Sequence, residues 1–443
     1  MTFENTELIH LLNRSRLILV GAAILLAGVS VTAQENNLLQ RADVKAAFQY
    51  LDRDFDRFVA ELVTLTEIPA PPFKEAVRAR AMEAKFRELK LNNVHIDQEG
   101  NVIGERAGKG AIQANSASRF AGGGPLLALA AHLDTVFPEG TDVHVRKEGT
   151  KYSAPGIGDD THGLASLLAI IRALDSAHIV TRSDILFVAD VGEEGLGNSR
   201  GIHYLLEKGE YHDRVKNFIS IDGGDENGIT NGGVASKRYR VTFKGPGGHS
   251  YGAFGLVSPS FAMGDAMARF SHSEVPHSPK TTFNVGVVGG GTSVNSIPGS
   301  VWMEVDMRSE SPDELAKLEK KFLADVAVAV EAENKIRSTR NGAISADTQL
   351  VGDRKGGQTP EDTPLVRSAL EVIRALGGNP SLHYNSTDSN VPIGMGIPAI
   401  TIGAGRAGQG AHSLDEFADM EKSATVPGQQ RALAIVLAVV GVN

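Results

Sequence analysis

The 443-residue sequence contains no cysteine, and this absence excludes two kinds of structure. The protein can form no disulfide bonds, and thiolate is excluded as a metal ligand. Any metal site must therefore be built from histidine and carboxylate side chains. An excess of positive charge is also lacking, because 53 acidic residues outnumber 44 lysines and arginines and give a formal net charge of -9.

This charge balance argues against a nucleic-acid partner, since the sequence has no basic stripe with interleaved aromatic residues. A nucleotide site is disfavoured as well. The glycine triplets at 122–124 and 289–291 superficially resemble phosphate loops, but neither has the lysine and serine or threonine that open a helix in such loops. The remaining composition, 42% hydrophobic and 22% charged, is that of a globular protein.

Residues 1–33 have the pattern of a targeting segment. Arg14 and Arg16 precede an apolar run at 17–28, and the small residues at 31–33 are followed by Gln34. This order is typical of a signal peptide, 1–33, and predicts an exported protein that is periplasmic or secreted. An uncleaved N-terminal membrane anchor is the alternative, although the apolar run is short for a membrane span.

The rest of the chain is long enough for two domains, and its apolar pattern changes along its length. Between 125 and 222, apolar strand-like runs alternate with helical segments, which predicts a mostly parallel sheet with helices on both faces. At 236–353, strands at hairpin spacing and two helices predict an inserted α+β domain. The predicted fold class is therefore α/β, with one domain formed by 34–235 and 354–443 and interrupted by the insert.

Two adjacent glutamates, Glu193 and Glu194, follow the apolar run at 185–191. The run is apolar on both faces and predicts a buried strand of a parallel sheet, and such sheets bind ligands beyond the carboxyl ends of their strands. A solvated acidic turn is the ordinary explanation of such a pair. A hydrolase can also use it, with one carboxylate holding a metal ion and the other moving protons.

Other predicted strands and a helix-opening loop also end in histidine or carboxylate, and this repetition favours a metal site over a solvated turn. All these side chains are expected at the same edge of the sheet. Such ligands suit two divalent metal ions, most simply Zn²⁺, with Mn²⁺ or Co²⁺ as alternatives. Asp134 is expected to accept a hydrogen bond from the second imidazole nitrogen of His132. The candidates are His132, Asp134, Asp159, Asp160, Glu193, Glu194, Asp222 and His412.

This ordered set of motifs resembles the co-catalytic zinc exopeptidase family that includes tripeptidase T, carboxypeptidase G, aminoacylase and acetylornithine deacetylase. The resemblance covers essentially all of the chain after the targeting segment. It implies that one metal ion is bound by Asp159, Glu194 and His412, and the other by His132, Asp159 and Asp222. It also implies that Asp134 and Glu193 are catalytic, with Glu193 as the general base that activates a water bridging the two ions.

The sequence departs from the family's pattern at Thr161, where many members have lysine. Asp160 remains open as the bridging ligand if the loop is aligned one residue later. In the family the peptide bond after the bridging aspartate can be cis, which predicts a cis bond between Asp159 and Asp160.

The insert resembles the family's lid domain, which is often a dimerisation module, so a homodimer through the lid is implied. His249 is similar to the lid histidine that contacts substrate, commonly that of the partner subunit, and would polarise the scissile carbonyl. Asn295 and Arg308 are similar to lid positions that contact substrate. The arginine would bind a terminal carboxylate of the substrate.

The sequence therefore predicts a zinc-dependent metallopeptidase that hydrolyses short peptides as an exopeptidase, of the di-/tripeptidase or carboxypeptidase type. The nearer alternative is a deacylase or deacetylase that uses the same site on N-acyl amino acids. A more distant alternative is a non-catalytic exported binder of peptides or metals. Glu193 argues against the binder, because a pure binding site has no need of a carboxylate that holds no metal.

Overall fold

The computed structural model describes residues 37–109, 126–223, 226–405 and 408–443. The predicted signal peptide, 1–33, lies outside these residues. Among the helices that are described, none combines the length and the apolar character that crossing a bilayer would require.

The secondary structure alternates along the chain between strands and helices. The described helices are α1 (Ala42–Arg53), α2 (Phe55–Thr66), α3 (Ala76–Glu88), α4 (Thr161–Ser176), α5 (Arg200–Glu207), α6 (Pro259–Ser271), α7 (Pro312–Ile336), α8 (Pro364–Ala375), α9 (Asn390–Gly394) and α10 (Lys422–Val440). The strands are β1 (Asn92–Ile96), β2 (Val102–Arg106), β3 (Leu126–His132), β4 (Arg146–Glu148), β5 (Lys151–Ser153), β6 (Ile185–Asp190), β7 (Val215–Ile221), β8 (Gly228–Gly233), β9 (Ala235–Lys244), β10 (Gly248–His249), β11 (Thr281–Gly290), β12 (Ser296–Ile297), β13 (Ser300–Ser309), β14 (Ser345–Arg354), β15 (Gly357–Gln358), β16 (Ser381–Asn385), β17 (Ala399–Ile402) and β18 (Phe417–Asp419).

The main sheet has the strand order β1-β2-β6-β3-β7-β17-β8-β15, with β16 paired to β8. Its four central strands, β6, β3, β7 and β17, run parallel, while β2 and β8 pair antiparallel at either side of them. The four central strands therefore bring their carboxyl ends to one edge of the sheet.

Both faces of the central strands are covered because alternate residues enter two different cores. In β3, Leu127 and Leu129 pack in the core formed with α1, α2, α3, α4, α8 and α10. Ala128 and Ala130 point the other way and pack with α5 and α9. This period of two is why the strands are apolar throughout. The predicted α/β class, a mostly parallel sheet with helices on both faces, is confirmed.

A second sheet, antiparallel in the order β11-β13-β9-β14, belongs to the inserted α+β unit. In β13, alternate residues such as Met303 and Met307 are buried, so one face of the sheet packs and the other does not. The packed face meets Phe270 of α6 and Phe322 of α7 in a core of its own. The chain enters this sheet at the start of β9 and leaves it at the end of β14, where Ser236 and Arg354 are paired.

Two strands of the main sheet, β8 and β16, carry no strand signal that the sequence analysis recognised. The sequence of β8 contains three glycines and an asparagine, residues that are depleted in strands. Close packing explains one of these glycines, because a Cβ on Gly232 would lie 2.5 Å from the ring of Tyr384 in β16. The close approach of the two strands, rather than the strand propensity of their residues, therefore explains the sequence of β8.

A buried ion-pair network joins α4 to the junction of α1 and α2. Nε of Arg172 lies 2.8 Å from Oδ2 of Asp54, and its Nη1 lies 2.7 Å from Oε2 of Glu61. All three side chains are buried. Arg172 therefore pairs with two carboxylates that have little access to water.

Replacing Arg172 with methionine removes this cation and keeps much of the side-chain volume. We expect the substitution to lower the free energy of unfolding by about 3–5 kcal/mol, because it leaves the buried carboxylate of Asp54 without the cation that pairs with it. Arg57 pairs with the same Glu61 from a largely exposed position, so Arg57→Met is the matched control and is expected to cost at most about 1 kcal/mol. Urea denaturation followed by circular dichroism measures both, and equal losses would contradict the role given to Arg172.

Candidate active site

The carboxyl-terminal edge of the main sheet gathers side chains from widely separated parts of the chain. His132 is the last residue of β3, Asp222 directly follows β7, and Glu194 lies in the turn after β6. Asp159 lies in the loop that opens α4, and His412 lies in the loop between β17 and β18. Parallel strands bring these five side chains together at one end of the sheet.

Asp159 lies between two histidines, with one imidazole at each of its carboxylate oxygens. Nε2 of His132 is 3.0 Å from Oδ1, and Nε2 of His412 is 3.1 Å from Oδ2. The same nitrogen of His412 is 3.0 Å from Oε1 of Glu194. A carboxylate whose two oxygens face different histidines has the geometry of a ligand shared by two ions.

Among the described residues, three groups of side chains could each hold a metal ion. One is His132, Glu193 and Glu194, and the other two share Asp159. His132, Asp159 and Asp222 offer ligand atoms within 4.8 Å of one another, and so do Asp159, Glu194 and His412. These are the two ligand sets that the family resemblance implies. Three carboxylates and two imidazoles form a donor set that suits Zn²⁺ and similar divalent ions. The residues present therefore fit two cations that share Asp159.

Electrostatics at the cluster favour positive charge. Burial and the neighbouring charge of Asp159 raise the pKa of Asp222 well above its ordinary value. Hydrogen bonds to Asp159 and Glu194 raise the pKa of His412 to about 10. A site that stabilises a protonated imidazole so strongly also stabilises metal cations among the same carboxylates.

Asp160, the alternative bridging residue, faces the backbone instead of the cluster. Its Oδ2 accepts a hydrogen bond from the backbone N–H of His132 at 3.1 Å, and its Oδ1 accepts one from Gly163 at 3.1 Å as the N-cap of α4. The peptide bond between Asp159 and Asp160 is cis, which confirms that prediction. Asp159, not Asp160, therefore lies between the two histidines.

Asp134 contacts His132 differently from the expectation. Its carboxylate is 3.7 Å from Nδ1 of His132, which is too long for a hydrogen bond, and that nitrogen lies instead 3.0 Å from the backbone carbonyl oxygen of Asp134. Because a carbonyl oxygen can only accept, Nδ1 donates to it, and Nε2 is the nitrogen that faces Asp159.

The Asp134 carboxylate is hydrogen-bonded to the turn after β6. It accepts backbone N–H bonds from Gly192 at 2.8 Å, Glu193 at 3.1 Å and Glu194 at 2.9 Å. Three consecutive N–H groups satisfy a buried carboxylate better than one imidazole does, which explains the difference from the expected contact. Asp134 thus fixes the backbone that carries both glutamates.

Glu193 has a partner that the sequence analysis did not find. Its Oε1 accepts a hydrogen bond from Nη1 of Arg354 at 2.7 Å, and Nη2 of Arg354 donates to the backbone carbonyl of Glu193. Nη1 also donates to Ser386 at 2.9 Å. Arg354 is buried and is the last residue of β14, so it reaches Glu193 from the strand by which the chain leaves the insert. No local sequence pattern predicts this contact.

A second missed arginine, Arg78 of α3, lies fully buried behind the site. It donates to the backbone carbonyl of Leu133 at 2.8 Å and to that of Ile68 at 2.9 Å. Burial lowers its pKa to about 10, against the opposing effect of nearby Asp134 and Asp160. Its position on the inner face of an amphipathic helix was the only available signal, and that signal ordinarily marks an apolar residue.

A pocket of about 330 Å³ opens at the cluster, a volume that suits a small ligand. Its walls include Asp159, Glu193, Glu194, Asp222 and His412. Three arginines also line the pocket, namely Arg238, Arg308 and Arg354.

The three residues predicted to contact substrate do not all lie at the same place in the structure. Arg308 lines the pocket and donates Nε to Asp306 at 2.7 Å. His249 and Asn295 are exposed and do not line this pocket. They lie together at the small β10–β12 sheet, where the N–H of Ser250 donates to the carbonyl of Asn295 at 2.9 Å.

Comparison with known proteins gives a family match over most of the chain. Residues 128–436 match the model of peptidase family M20/M25/M40. Carboxypeptidase G2 of Pseudomonas sp. (strain RS-16) is 25% identical over 406 residues, covering 85% of this chain and 92% of that protein.

Solved structures share the fold. The aminopeptidase PepT of Bacillus cereus matches with a TM-score of 0.66 and 21% identity, covering 87% of this chain and 99% of that one. The Bacillus subtilis YXEP protein, described as a dinuclear metal-binding peptidase, matches with a TM-score of 0.60 and 17% identity over 87% of this chain and 99% of its own.

The role of Asp134 can be tested by Asp134→Asn, which replaces an acceptor oxygen with an amide N–H group. One backbone donor of the turn then loses its acceptor, and we expect the affinity for divalent metal ions to fall about 10–100-fold. Calorimetric titration of the metal-free protein measures this affinity.

The matched control for that test is Asp184→Asn. Asp184 is also buried and accepts a backbone N–H bond, from Gly108 at 2.7 Å, but it lies at the opposite end of β6. We expect this variant to lose stability and to keep its metal affinity. An equal loss of metal affinity in both variants would show that Asp134 has no local role.

Proposed function

Because the chain belongs to peptidase family M20/M25/M40, we propose that it is a two-metal exopeptidase that cleaves short peptides, with Zn²⁺ as the metal. Membership of the family makes the protein a hydrolase of peptide or amide bonds. The observation that carries the finer proposal is Asp159 with a histidine at each carboxylate oxygen, between two groups of three ligands.

Two divalent cations in these positions would polarise the scissile carbonyl and lower the pKa of a bound water to about 7. Glu193 lies beside them, because it offers an oxygen within 4.8 Å of ligand atoms of His132 and Glu194. The contact with Arg354 is made by Oε1, so we assign Oε2 to proton transfer. It takes a proton from the attacking water and delivers it to the leaving nitrogen.

Arg354 orients Glu193 for this transfer. The arginine contacts both the carboxylate and the backbone carbonyl of the same residue, so the side chain cannot rotate away without breaking a charge-assisted bond. Both side chains are buried, which keeps water from competing for the contact.

The arginine-lined wall of the pocket supports an exopeptidase. Arg238 and Arg308 share one partner, because Nε of Arg238 lies 3.0 Å from Asp306 and Nε of Arg308 lies 2.7 Å from it. Two guanidinium groups and one carboxylate leave a single positive charge, which suits one terminal carboxylate of a peptide. The two arginines and the ligand cluster line the same small pocket. A peptide whose terminal carboxylate binds these arginines would therefore present a bond near its end to the cluster.

The proposal includes a homodimer formed through the insert. His249 is exposed on this chain, and its Nδ1 accepts N–H bonds from Tyr251 at 3.2 Å and Gly252 at 3.3 Å. Neutral His249 therefore carries its proton on Nε2, where it can donate to a developing oxyanion. Tyr251 and Phe254 beside it are each 89% exposed, and a second subunit would cover them.

We further propose that the protein is exported. The pattern of residues 1–33 supports a cleaved signal peptide, with an uncleaved anchor as the alternative.

The main test is a substrate panel of dipeptides, tripeptides and N-acyl amino acids. We expect hydrolysis of the short peptides, loss of activity on chelation and recovery with Zn²⁺. We expect Glu193→Gln to keep two ions per chain and to lose about 10²–10⁴-fold in kcat, the range of a general base. Faster hydrolysis of N-acyl amino acids than of peptides would make the protein a deacylase.

The control for Glu193→Gln is Glu333→Gln. Glu333 is also buried, pairs with Arg337 at 2.5 Å and accepts a bond from the N–H of Ser258 at 2.8 Å, but it lies within the insert. Its variant is expected to retain the wild-type kcat. Near-normal turnover by Glu193→Gln would reject Glu193 as the base.

A mixing experiment tests donation of His249 between subunits. Homodimers of His249→Ala and of Glu193→Gln should each be nearly inactive. In a mixed dimer, the site of the His249→Ala chain keeps its own Glu193 and receives His249 of the partner subunit. Random reassociation should therefore restore about a quarter of the wild-type activity. No recovery after subunit exchange, or a monomer by sedimentation, would contradict the dimer.

A further inference from the structure

Glu416 lies on the inner side of the loop that carries His412, and its carboxylate binds the loop that carries Asp159. Its Oε1 accepts backbone N–H bonds from Gly158 at 2.8 Å and from Asp159 at 2.9 Å. Its Oε2 accepts the N–H of Gly156 at 2.8 Å. Glu416 is fully buried, so these three bonds replace all of its hydration. It is not one of the candidate metal ligands.

The two loops are also in direct backbone contact. A Cβ on Gly158 would lie 2.4 Å from Cα of Gly408, and a Cβ on Gly408 would lie 2.9 Å from Cα of Gly158. No side chain fits between them, so both glycines are required for this close approach. The backbone of Glu416 is also fixed, because its carbonyl oxygen accepts the N–H of Ala154 at 3.1 Å.

Asp159 is therefore held from two sides by different supports. On its C-terminal side, the carboxylate of Asp160 binds the backbone of His132 in β3. On its N-terminal side, Glu416 binds the backbone of Asp159 itself and ties it to the His412 loop.

The two candidate metal positions do not depend equally on Glu416. His132 ends one strand of the main sheet and Asp222 follows another, so these ligands are fixed by the sheet. His412 lies in a loop, and its side chain is 56% exposed. Without Glu416, the first position keeps the strands that fix His132 and Asp222 and the support of Asp159 by Asp160. The second position loses the hydrogen bonds that tie the Asp159 loop to the loop of His412.

We propose that Glu416 is a positioning residue that sets the spacing of the Asp159 and His412 loops and thereby the affinity of the second cation position, formed by Asp159, Glu194 and His412. This inference rests on the proposed function, since it requires that both positions bind cations. Outer partners that orient ligand-bearing groups commonly control metal affinity in this way.

The test is a titration of metal-free, full-length protein with Co²⁺, followed by calorimetry and visible absorption. In Glu416→Gln an amide N–H group replaces one acceptor oxygen, so at least one backbone donor faces another donor. We expect the wild type to bind two ions. We expect the variant to bind the first ion as the wild type does and the second about 10–100-fold more weakly.

Two further variants separate position from charge. Asp415→Asn removes the same negative charge from the neighbouring, exposed residue, and we expect both affinities to remain those of the wild type. Glu416→Asp keeps the charge but is one methylene shorter, and we expect it to weaken the second ion because it cannot reach all three donors. It also serves as the test if Glu416→Gln fails to fold.

Each other outcome has a definite meaning. An unchanged second affinity in both Glu416 variants overturns the inference, as does an equal loss of both ions. Equal weakening by Asp415→Asn and Glu416→Gln would assign the effect to charge and also overturn it. A wild type that binds fewer than two ions would instead reject the proposed two-metal function, whatever the variants do.

Discussion

Carboxylates bonded to backbone N–H groups are the interaction on which the site depends. Three of the five candidate ligands lie on segments that are fixed by a carboxylate outside the two ligand sets. Asp134 binds the turn of Glu194, Asp160 binds the backbone of His132, and Glu416 binds the backbone of Asp159. Because these bonds go to the main chain, they fix the ligand-bearing loops without using the ligand atoms themselves. The cluster can thus be both crowded with negative charge and rigid.

The location of the candidate site at the edge of the sheet could be predicted from the sequence, because two signals coincide there. The central strands are apolar on both faces, which marks them as parallel and buried, and chemistry-bearing residues follow their carboxyl ends. These signals led to His132, Asp222 and the Glu193–Glu194 pair, and the structure brings these side chains together with Asp159 and His412. A sequence pattern is enough to predict a site where strand direction alone determines which residues come together.

The supports of the site could not be predicted in this way. Arg354 meets Glu193 across 161 residues of sequence, and Glu416 meets Gly158 across 258. The partners of Asp134 and Glu416 are backbone N–H groups, which every residue except proline possesses and which therefore leave no mark in the sequence. Nor could the exposure of His249 be read from its motif, because exposure depends on how the insert lies against the rest of the chain.

The insert enters and leaves through neighbouring strands, with Ser236 paired to Arg354. Opposed residues of antiparallel strands have their Cα atoms only about 5 Å apart. A segment whose two ends meet so closely can be exchanged, lengthened or lost without altering the register of the host sheet. An insert of a different shape can therefore join the same two strands, and the candidate ligands at the edge of the main sheet would keep their positions.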